Sequence, residues 1–503
     1  MKRSGTSTFC ASIRIYESDQ QYLYLERIMR ACQKIYNTCV KHAKKQLELL
    51  YSETDIKDLL EEYYKNTTDK TSKRELNKVI KAYIQAYGID ENNLQKYANY
   101  QRKYAFNQCV GANIIQKQAT ALAKAIEKAI YCGTDIHFRK HGETTSFEDK
   151  SANTGIVYLP DEHAVRIMGQ QFRLKPIREN DTYLQEALCN RVKYCRIVRK
   201  PFKNRNKYFL QLILEGYPPY KFKLGDGKCG IDEGVSTVAY YNKNNADFVV
   251  LSDGVERYEK EVQKAARTLE RRRRKNNPDN YDDDGTVKVG KLVWHYTNGM
   301  RKAKQELKNA YRRKHEFIKQ QHNKIATQIA KQCNEIIIEP MNYAALARRS
   351  KCQAERSDKT TVIIKNGKTK TVHKFKKKKR FGKSVGRRAP FMFKSILTNK
   401  IKNNGGTVVE VDLKEYKASQ YNHSTKEAIK PSLSDRIKQI DGHIVQRDLY
   451  SAFLLMHYKD EKHINFEECQ ADFNNFIKKQ SPVIEKIKST GDITKNFGIK
   501  YFN

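Results

Sequence analysis

The chain has 503 residues, with 97 Lys and Arg against 57 Asp and Glu, so its formal net charge is +40. This excess is spread over the whole chain, which favours a phosphate backbone as partner over the alternative of a ribosome- or membrane-associated basic protein. No run of eighteen apolar residues predicts a membrane span, and residues 1–5 lack the apolar core of a signal peptide, which indicates a cytoplasmic protein.

The first 222 residues predict a small β domain interrupted by helices. Residues 6–15 alternate as a strand does, and apolar residues at helical spacing then run from Asp19 to about Leu50 and continue in pieces to about Tyr131. Residues 133–222 return to short strands separated by turns. We expect these strands at 155–159, 164–167, 171–174, 194–198 and 208–214.

A second unit is predicted to start near Lys223. Its elements in chain order are strands at 230–241 and 247–251, a charged helix at 254–275, a loop at 276–285, a helix at 299–333, a strand at 335–339, a helix at 391–403 and a strand at 407–413. The two long helices should pair antiparallel. This order of strands and helices is typical of an α/β RNase H-like core with insertions.

The most charged window of the chain lies between the last two predicted strands. Residues 371–390 contain nine Lys and Arg and no Asp or Glu, with two phenylalanines between the cations. We interpret the window as a linker that is mobile by itself and becomes ordered on a nucleic-acid backbone.

The eleven cysteines are irregularly spaced and form no C-x-x-C pair, which disfavours both a disulfide framework and a zinc ribbon.

Three carboxylates stand beside apolar runs: Asp232, Glu339 and Asp448. Each has an ordinary structural explanation, because Asp232 could cap a turn, Glu339 could end a strand before Pro340, and Asp448 could interact with a helix dipole. Together they suggest one centre, since a carboxylate at the edge of a buried strand is costly unless it is hydrogen-bonded or binds a metal. Oxygen ligands of this kind suit Mg²⁺.

Three motifs around these acids resemble those of one family. Residues 230–234 read Gly-Ile-Asp-Glu-Gly and resemble the G-I-D-x-G opening of RuvC-type nuclease domains. Residues 336–342 (Ile-Ile-Ile-Glu-Pro-Met-Asn) resemble the second motif, and residues 446–452 (Gln-Arg-Asp-Leu-Tyr-Ser-Ala) resemble the third. With the basic helical pair, the chain is similar to the TnpB-like transposon nucleases and the compact type V CRISPR effectors. The resemblance is specific over 223–458 and architectural over 1–222.

The resemblance implies an α/β RNase H-like (RuvC) nuclease domain and an N-terminal β-barrel, or wedge, domain that carries a helical recognition insertion. The implied ranges are 1–17 and 133–222 for the wedge, 18–132 for the recognition lobe, 223–414 for the nuclease domain with its helical hairpin and basic lid, 415–445 for a degenerate zinc-ribbon-like loop, 446–458 for the third-motif helix, and 459–503 for a tail of unknown role.

The implied activity is RNA-guided cleavage of double-stranded DNA beside a short duplex motif, by a protein that a bacterium, phage or mobile element encodes. Asp232, Glu339 and Asp448 would bind two Mg²⁺ or Mn²⁺ ions, one to activate water and one to stabilise the leaving oxygen. The guide RNA would pair with the target while the protein holds the backbone. Arg436 lies where the family often has an arginine that reaches the scissile strand, and a surface salt bridge is the alternative.

Further cations and one amide are candidate nucleic-acid contacts. They are Arg271, Arg272, Arg273, Arg274, Lys376, Lys377, Lys378, Lys379, Arg380, Lys383, Arg387, Arg388, Gln420 and Arg447. The segment from Lys376 to Arg388 would be a mobile lid over the active site.

The chain departs from the family pattern at two places. Both zinc-knuckle positions, at 418–423 and 438–443, have lost their cysteines and retain only His423 and His443, so we expect no structural zinc. Tyr450 and Ser451 replace the usual Asn and Ala, which should alter packing behind Asp448 without removing a ligand.

Three other functions remain open: a nuclease-inactive RNA-guided repressor, a guide-independent structure-specific nuclease, and a plain RNA-binding scaffold. The presence of all three acids disfavours the first, and the long basic N-terminal region disfavours the second. The sequence leaves open whether the chain is a CRISPR effector or a transposon nuclease, and whether it is a monomer or a homodimer.

Overall fold

A computed structural model describes residues 6–65, 70–106, 109–203, 205–220, 222–290, 292–347, 356–365, 368–375, 381–412, 418–429, 432, 435–460 and 462–489. The backbone alone is described for residues 65, 70, 356–359, 361, 363–365, 368–370 and 372–375. The chain divides into two compact units, Met1–Pro219 and Tyr220–Asn503. No helix in the described part of the chain has both the length and the apolar character needed to cross a bilayer.

The first unit combines a sheet with a group of helices. Its strands are β1 (Thr8–Tyr16), β2 (Ser146–Glu148), β3 (Ile156–Leu159), β4 (Ala164–Ile167), β5 (Gln170–Leu174), β6 (Val192–Phe202) and β7 (Arg205–Glu215). Its helices are α1 (Asp19–Leu50), α2 (Thr54–Lys65), α3 (Lys70–Ala86), α4 (Glu91–Tyr104), α5 (Ala112–Cys132) and α6 (Thr182–Leu188).

The seven strands form one antiparallel sheet in the order β2-β6-β7-β1-β5-β4-β3. The predicted β-barrel is not closed by hydrogen bonds within the described strands, because the order ends at β2 on one side and β3 on the other. Helices α1 to α5 enter between β1 and β2, as the helical periodicity predicted. A capping box starts α1: the Ser18 hydroxyl accepts from the Gln21 amide, and the Gln21 side chain accepts from the Ser18 amide.

The second unit is an α/β domain, as predicted. Its strands are β8 (Lys228–Glu233), β9 (Thr237–Tyr241), β10 (Ala246–Val250), β11 (Glu335–Ile338), β12 (Arg356–Lys365), β13 (Lys368–Phe375), β14 (Thr407–Glu410), β15 (Ile437–Ile440) and β16 (His443–Gln446). Its helices are α7 (Val255–Asn276), α8 (Asn298–Ala330), α9 (Tyr343–Ala347), α10 (Gly382–Arg388), α11 (Pro390–Asn403), α12 (Arg447–Met456) and α13 (Phe466–Ser489).

The central sheet has five strands in the order β10-β9-β8-β11-β14. Strands β8, β11 and β14 run parallel, while β8, β9 and β10 pair antiparallel. Because strand side chains alternate between faces, Ile336 and Ile338 pack toward α8 and α11, whereas Ile337 packs toward α12 and α13. The sheet is thus a buried layer between two groups of helices, which explains the uninterrupted apolar run of β11.

Two sequence predictions for this unit need correction. Residues 230–241 were expected to form one strand, but Gly234–Ser236 turn the chain and β8 and β9 form an antiparallel pair. The basic window at 371–390 was expected to be a linker, yet β12 and β13 pair within residues 356–375 and α10 follows. The β-branched residues of 360–364 (Thr-Thr-Val-Ile-Ile) and of 369–372 (Thr-Lys-Thr-Val) favour strands over a solvated loop.

Candidate active site

A close crossing of helix α12 over strand β8 assembles the candidate site. A Cβ atom on Gly230 would collide with the carbonyl oxygen of Ala452 and the backbone nitrogen of Met456. Only glycine therefore allows the helix to lie directly on the strand at this point. Asp232 lies two residues beyond the crossing on β8, and Asp448 lies about one helical turn before it on α12. The crossing consequently brings the first and third motifs together.

Asp232 is the centre of the carboxylate group. Its side chain is surrounded by protein on most sides yet keeps partial solvent access. Burial raises the pKa of Asp232 well above its usual range, and the negative charges of Asp448 and Glu339 raise it further. Arg447 opposes this rise. The structure therefore places all three predicted acids within electrostatic reach of one another.

Asp448 and Glu339 are each held by protein partners. Arg447 contacts Asp448 Oδ1 at 2.9 Å, and Arg436 forms an ion pair with Asp448 Oδ2 at 3.7 Å. Glu339 Oε1 accepts a hydrogen bond of 3.0 Å from the backbone nitrogen of Ala418. Both predicted arginines thus neutralise part of the negative charge that the three acids concentrate.

The residue types suit hard divalent cations, since all three are carboxylates and their mutual repulsion raises the pKa of Asp232. Among the described residues, no three His, Cys, Asp or Glu side chains are close enough together to hold a metal ion. Arg436, Arg447 and the Ala418 amide contact two of the three carboxylates. Binding a cation would require these side chains to move inward.

The two departures in the third motif have different surroundings. Ser451 is 1% exposed and acts on Asp232 to lower its pKa, although its hydroxyl makes no hydrogen bond of normal geometry in the described structure. Tyr450 points the other way, toward the altered zinc knuckle. Its hydroxyl lies 2.7 Å from His423 Nδ1 and accepts from the His423 backbone nitrogen at 3.0 Å. Ser451 thus lies beside the acids, whereas Tyr450 packs against His423.

The region that the resemblance assigns to the zinc knuckles is packed around His423. This side chain is 2% exposed, and its ring centroid lies 4.7 Å from that of Phe473 on α13. His443 begins strand β16 and is exposed. Burial lowers the pKa of His423, which favours its neutral form. Part of the loop expected at 415–445 is a hairpin, because β15 and β16 pair antiparallel. The expected lack of zinc stays a prediction.

Sequence reasoning missed a buried pair on the opposite face of β8. Glu233 is 3% exposed and accepts a hydrogen bond of 3.2 Å from the Tyr343 hydroxyl. Burial raises the pKa of Glu233 to about 7. Tyr343 starts α9, four residues after Glu339, so the pair anchors the turn that carries the second-motif acid. Two consecutive acids, Asp232 and Glu233, could have indicated this pair, because neighbouring residues of a strand face opposite sides of the sheet.

The predicted arginine cluster on α7 does not act as one surface. Arg272 donates to the Gly299 carbonyl oxygen. Arg273 lies 4.4 Å above the Trp294 ring, and Arg274 lies 5.4 Å from the Tyr281 ring. Arg271 is exposed and lines a groove along α7. Three of the four predicted contacts, Arg272, Arg273 and Arg274, therefore have partners within the protein.

The predicted lid is anchored at its C-terminal end. Arg387 pairs with Glu259 at 2.6 Å, and Arg388 pairs with Glu256 at 2.9 Å and donates to the carbonyl oxygens of Leu251 and Ser252. These ion pairs fasten α10 to α7 and differ from the expectation of a mobile segment over 376–388. Lys376, Lys377, Lys378, Lys379 and Arg380 lie outside the described residues.

Lys383 and Gln420 are the two remaining predicted nucleic-acid contacts. Lys383 lies in the first turn of α10 and is exposed, and Gln420 is partly exposed, with its carbonyl oxygen accepting from the Ile429 amide at 3.0 Å. Both side chains could reach a ligand from the protein surface.

Comparisons with known proteins give no family assignment. No protein-family model matches the sequence, and no curated protein matches it. Among solved structures, the chain is similar to a Cas12f1 in a cryo-EM complex with sgRNA and target DNA, with 12% identity, 89% of this chain and 98% of that chain covered, and a TM-score of 0.41. A Cas12f in a CRISPR ternary complex covers 88% of this chain at 12% identity, with 83% of its own length covered and a TM-score of 0.24. Likeness at this level does not establish a shared fold.

Proposed function

We propose that this chain is an RNA-guided DNA endonuclease that cleaves with one RuvC-like, RNase H-like active site built from Asp232, Glu339 and Asp448. The observation that carries the proposal is the electrostatic coupling of the three acids, whose motifs are separated by about one hundred residues each. A protein gains nothing in stability from three mutually repelling carboxylates, and their placement beside a glycine that permits the β8–α12 crossing favours a chemical role.

Two Mg²⁺ or Mn²⁺ ions held by these acids would supply Lewis acidity for the attack of water on a phosphodiester. The chain's own residues prepare the site. Arg447 fixes Asp448 by two hydrogen bonds, of 3.1 Å and 2.9 Å, and its third nitrogen donates to the Asp435 carbonyl oxygen at 2.7 Å. Arg447 therefore orients Asp448 and does not contact nucleic acid in this proposal.

Arg436 would change partners during the reaction. Its ion pair with Asp448 is long, at 3.7 Å, and its side chain is 28% exposed. Such a pair contributes little to stability. Arg436 can exchange Asp448 for a phosphate of the DNA when the carboxylate turns toward a cation. It would then act first as a salt-bridge partner of Asp448 and later as a contact to the scissile strand.

The net charge of +40 supplies the affinity for guide RNA and target DNA. Sequence recognition would come from base pairing with the guide, while the protein holds the backbone of the paired strands. The first unit, with its helical insertion, would hold the guide.

The proposal is tested by expressing the intact chain, sequencing any RNA that co-purifies, and reprogramming that RNA toward a labelled duplex. We expect one RNA species to co-purify and Mg²⁺-dependent cleavage to follow the reprogrammed guide. Guided binding without cleavage would indicate the repressor alternative. Cleavage that ignores the guide would indicate the structure-specific nuclease, and RNA binding without DNA recognition would indicate the scaffold.

A further inference from the structure

A buried carboxylate ends strand β8 on the face opposite the three acids. Asp232 and Glu233 are consecutive residues of β8, so their side chains lie on opposite faces of the sheet. Glu233 is 3% exposed and continues a face whose preceding side chains, Ile231 and Cys229, are apolar and buried. A buried carboxylate costs stability unless its oxygens have partners. An aliphatic residue here would therefore give a more stable strand end.

Tyr343 supplies the one hydrogen bond that this carboxylate has in the described part of the chain. The Tyr343 hydroxyl donates to Glu233 Oε2 at 3.2 Å, and Tyr343 is itself 5% exposed. Oε1 of Glu233 is buried and has no hydrogen-bond partner among the described residues. Lys394 on α11 forms an ion pair with Glu410 at 2.9 Å and not with Glu233. The position of the Glu233 carboxylate thus depends on the tyrosine hydroxyl.

Two of the proposed metal ligands follow the pairing of β8 with β11. These strands run parallel, with Ile231 opposite Ile338. The next residue along each chain segment is a proposed ligand, Asp232 on β8 and Glu339 after β11. The separation of these two acids therefore depends on the path that the chain takes after Ile338.

Tyr343 fixes this path beyond Glu339. Residues 339–342 connect β11 to α9, which begins at Tyr343. The hydrogen bond from Tyr343 to Glu233 ties this end of the connection back to β8. Strand pairing thus holds the connection before Glu339, and the Tyr343–Glu233 bond holds it afterwards. We call this hydrogen bond the β8–α9 latch.

We propose that Glu233 and Tyr343 are positioning residues whose hydrogen bond keeps the backbones of Asp232 and Glu339 at a fixed separation. Rotation of the two acid side chains alone then brings both carboxylates to one divalent cation. The inference rests on the proposed function, because it requires Asp232 and Glu339 to bind a metal ion. Groups that orient metal ligands without touching the metal typically change its affinity by about 10- to 100-fold.

The test measures Mn²⁺ binding to the intact chain freed of nucleic acid, with free Mn²⁺ followed by electron paramagnetic resonance. Asp232→Asn identifies the binding that belongs to the proposed site. We expect Tyr343→Phe and Glu233→Leu each to weaken that binding by about tenfold or more. Glu233→Gln should bind Mn²⁺ as the intact protein does, because its amide oxygen still accepts from Tyr343. The double variant E233L/Y343F should bind no more weakly than either single variant, since all three lack the same bond.

Tyr208→Phe is the matched control. The Tyr208 hydroxyl donates to Glu26 at 2.7 Å in the first unit, and Tyr208 is fully buried. This variant also loses a buried tyrosine–glutamate hydrogen bond, so its melting temperature should fall while its Mn²⁺ affinity stays the same. An equal loss of Mn²⁺ affinity in the Tyr208 and Tyr343 variants would reduce the latch to a contribution to stability and overturn the proposal.

The remaining outcomes separate the latch from the metal centre. If Asp232→Asn abolishes Mn²⁺ binding but Tyr343→Phe does not weaken it, the latch is wrong and the metal centre stands. If Glu233→Gln binds as weakly as Glu233→Leu, the charge of Glu233 and not its hydrogen bond is responsible, which also overturns the proposal. If Asp232→Asn leaves Mn²⁺ binding unchanged, the proposed metal centre fails and the latch fails with it. Should Glu233→Leu unfold, Tyr343→Phe and Glu233→Gln decide the question by themselves.

Discussion

Gly230 sets the approach of the two elements that carry Asp232 and Asp448. Replacing it with alanine would place a methyl group against the backbone of Ala452 and Met456. We expect Gly230→Ala to lower the free energy of unfolding by about 3 kcal/mol or more, because neither backbone segment can move without shifting the helix. Chemical denaturation measures this. Gly386→Ala is the control: nothing lies within 4 Å of its added Cβ, and alanine favours the helix. Equal effects of the two substitutions would contradict the close crossing.

His322 makes the stability of the second unit depend on pH. It is fully buried on α8, where its Nε2 lies 2.9 Å from the Ser252 hydroxyl. Burial lowers the pKa of His322 to about 4, from an ordinary value of 6.5. Since the unfolded chain takes up the proton first, the free energy of unfolding should fall by up to about 3 kcal/mol as the pH drops from 6.5 to 4.

His322→Gln should flatten this pH dependence, as followed by urea denaturation at several pH values. His463→Gln is the control, because His463 is exposed beside Asp460. An unchanged slope in the His322 variant would show that the imidazole is not held neutral.

At this scale the sequence predicted that Asp232 and Glu339 end strands and that Asp448 lies in a first helical turn. The structure places Asp232 near the end of β8, Glu339 directly after β11 and Asp448 in the first turn of α12. Their catalytic role stays a proposal.

The sequence could not predict which arginines have partners within the folded protein. Arg272 and Arg387 belong to basic runs, and only the folded positions of Gly299 and Glu259 show that these two arginines have partners. Charge composition records how many cations exist and not which of them have partners.

Helix α13 is fastened to the sheet by a polar cluster around Asp472. The Tyr241 hydroxyl donates to Asp472 Oδ2 at 2.8 Å, and His457 Nε2 lies 3.3 Å from the same oxygen. Burial alone would raise the pKa of Asp472, but hydrogen bonds from His457, Tyr241 and Asn475 hold it below its usual range. The cluster joins β9, α12 and α13, so it supports the helix that carries Asp448.

We expect Asp472→Asn to lower the free energy of unfolding by about 1 to 3 kcal/mol, because an amide cannot accept all of these hydrogen bonds and leaves buried donors unpaired. Thermal denaturation at neutral pH measures the loss. Asp460→Asn, at an exposed acid, should change stability far less. If the Asp472 variant is as stable as the Asp460 variant, then apolar packing alone holds α13 in place.

The region around His423 and His443 is predicted to contain no structural zinc. His423 is turned into the core toward Tyr450 and Phe473, while His443 is exposed at the start of β16. We expect elemental analysis of the purified protein to give far less than one zinc per chain, and His443→Ala to leave the melting temperature unchanged when zinc is added. About one zinc per chain, lost on replacing His423 or His443, would contradict the prediction.

Helices and strands were predicted correctly where apolar periodicity was strong, as in α1, α8 and β11. They were missed where many charged residues stand between the apolar ones. The β12–β13 pair and α10 lie in a window of cations, so the β-branched residues between them were given too little weight. The role of α13 was left open because it has contacts, such as Phe476 against Tyr241, with residues far away in the sequence.

At the scale of the whole molecule, the strands and helices of each unit follow from local patterns. The pairing of β8 with β11, and of β11 with β14, depends instead on contacts between residues far apart in the sequence. The sequence motifs nevertheless indicated that pairing, because three acids can share a site only if their elements are neighbours. The sequence motifs, the pairing of the central strands and the proposed chemistry therefore all involve the same three carboxylates.

The most direct measurement is single-turnover cleavage of guide-matched DNA by Asp232→Asn, Glu339→Gln and Asp448→Asn, with target binding measured on the same preparations. We predict that each variant cleaves about 100-fold more slowly or not at all, while its affinity for guide and target stays near that of the intact protein. Glu335→Gln, at the opposite end of β11, is the control and should cleave normally. Cleavage at the normal rate by any of the three acid variants would place the active site elsewhere.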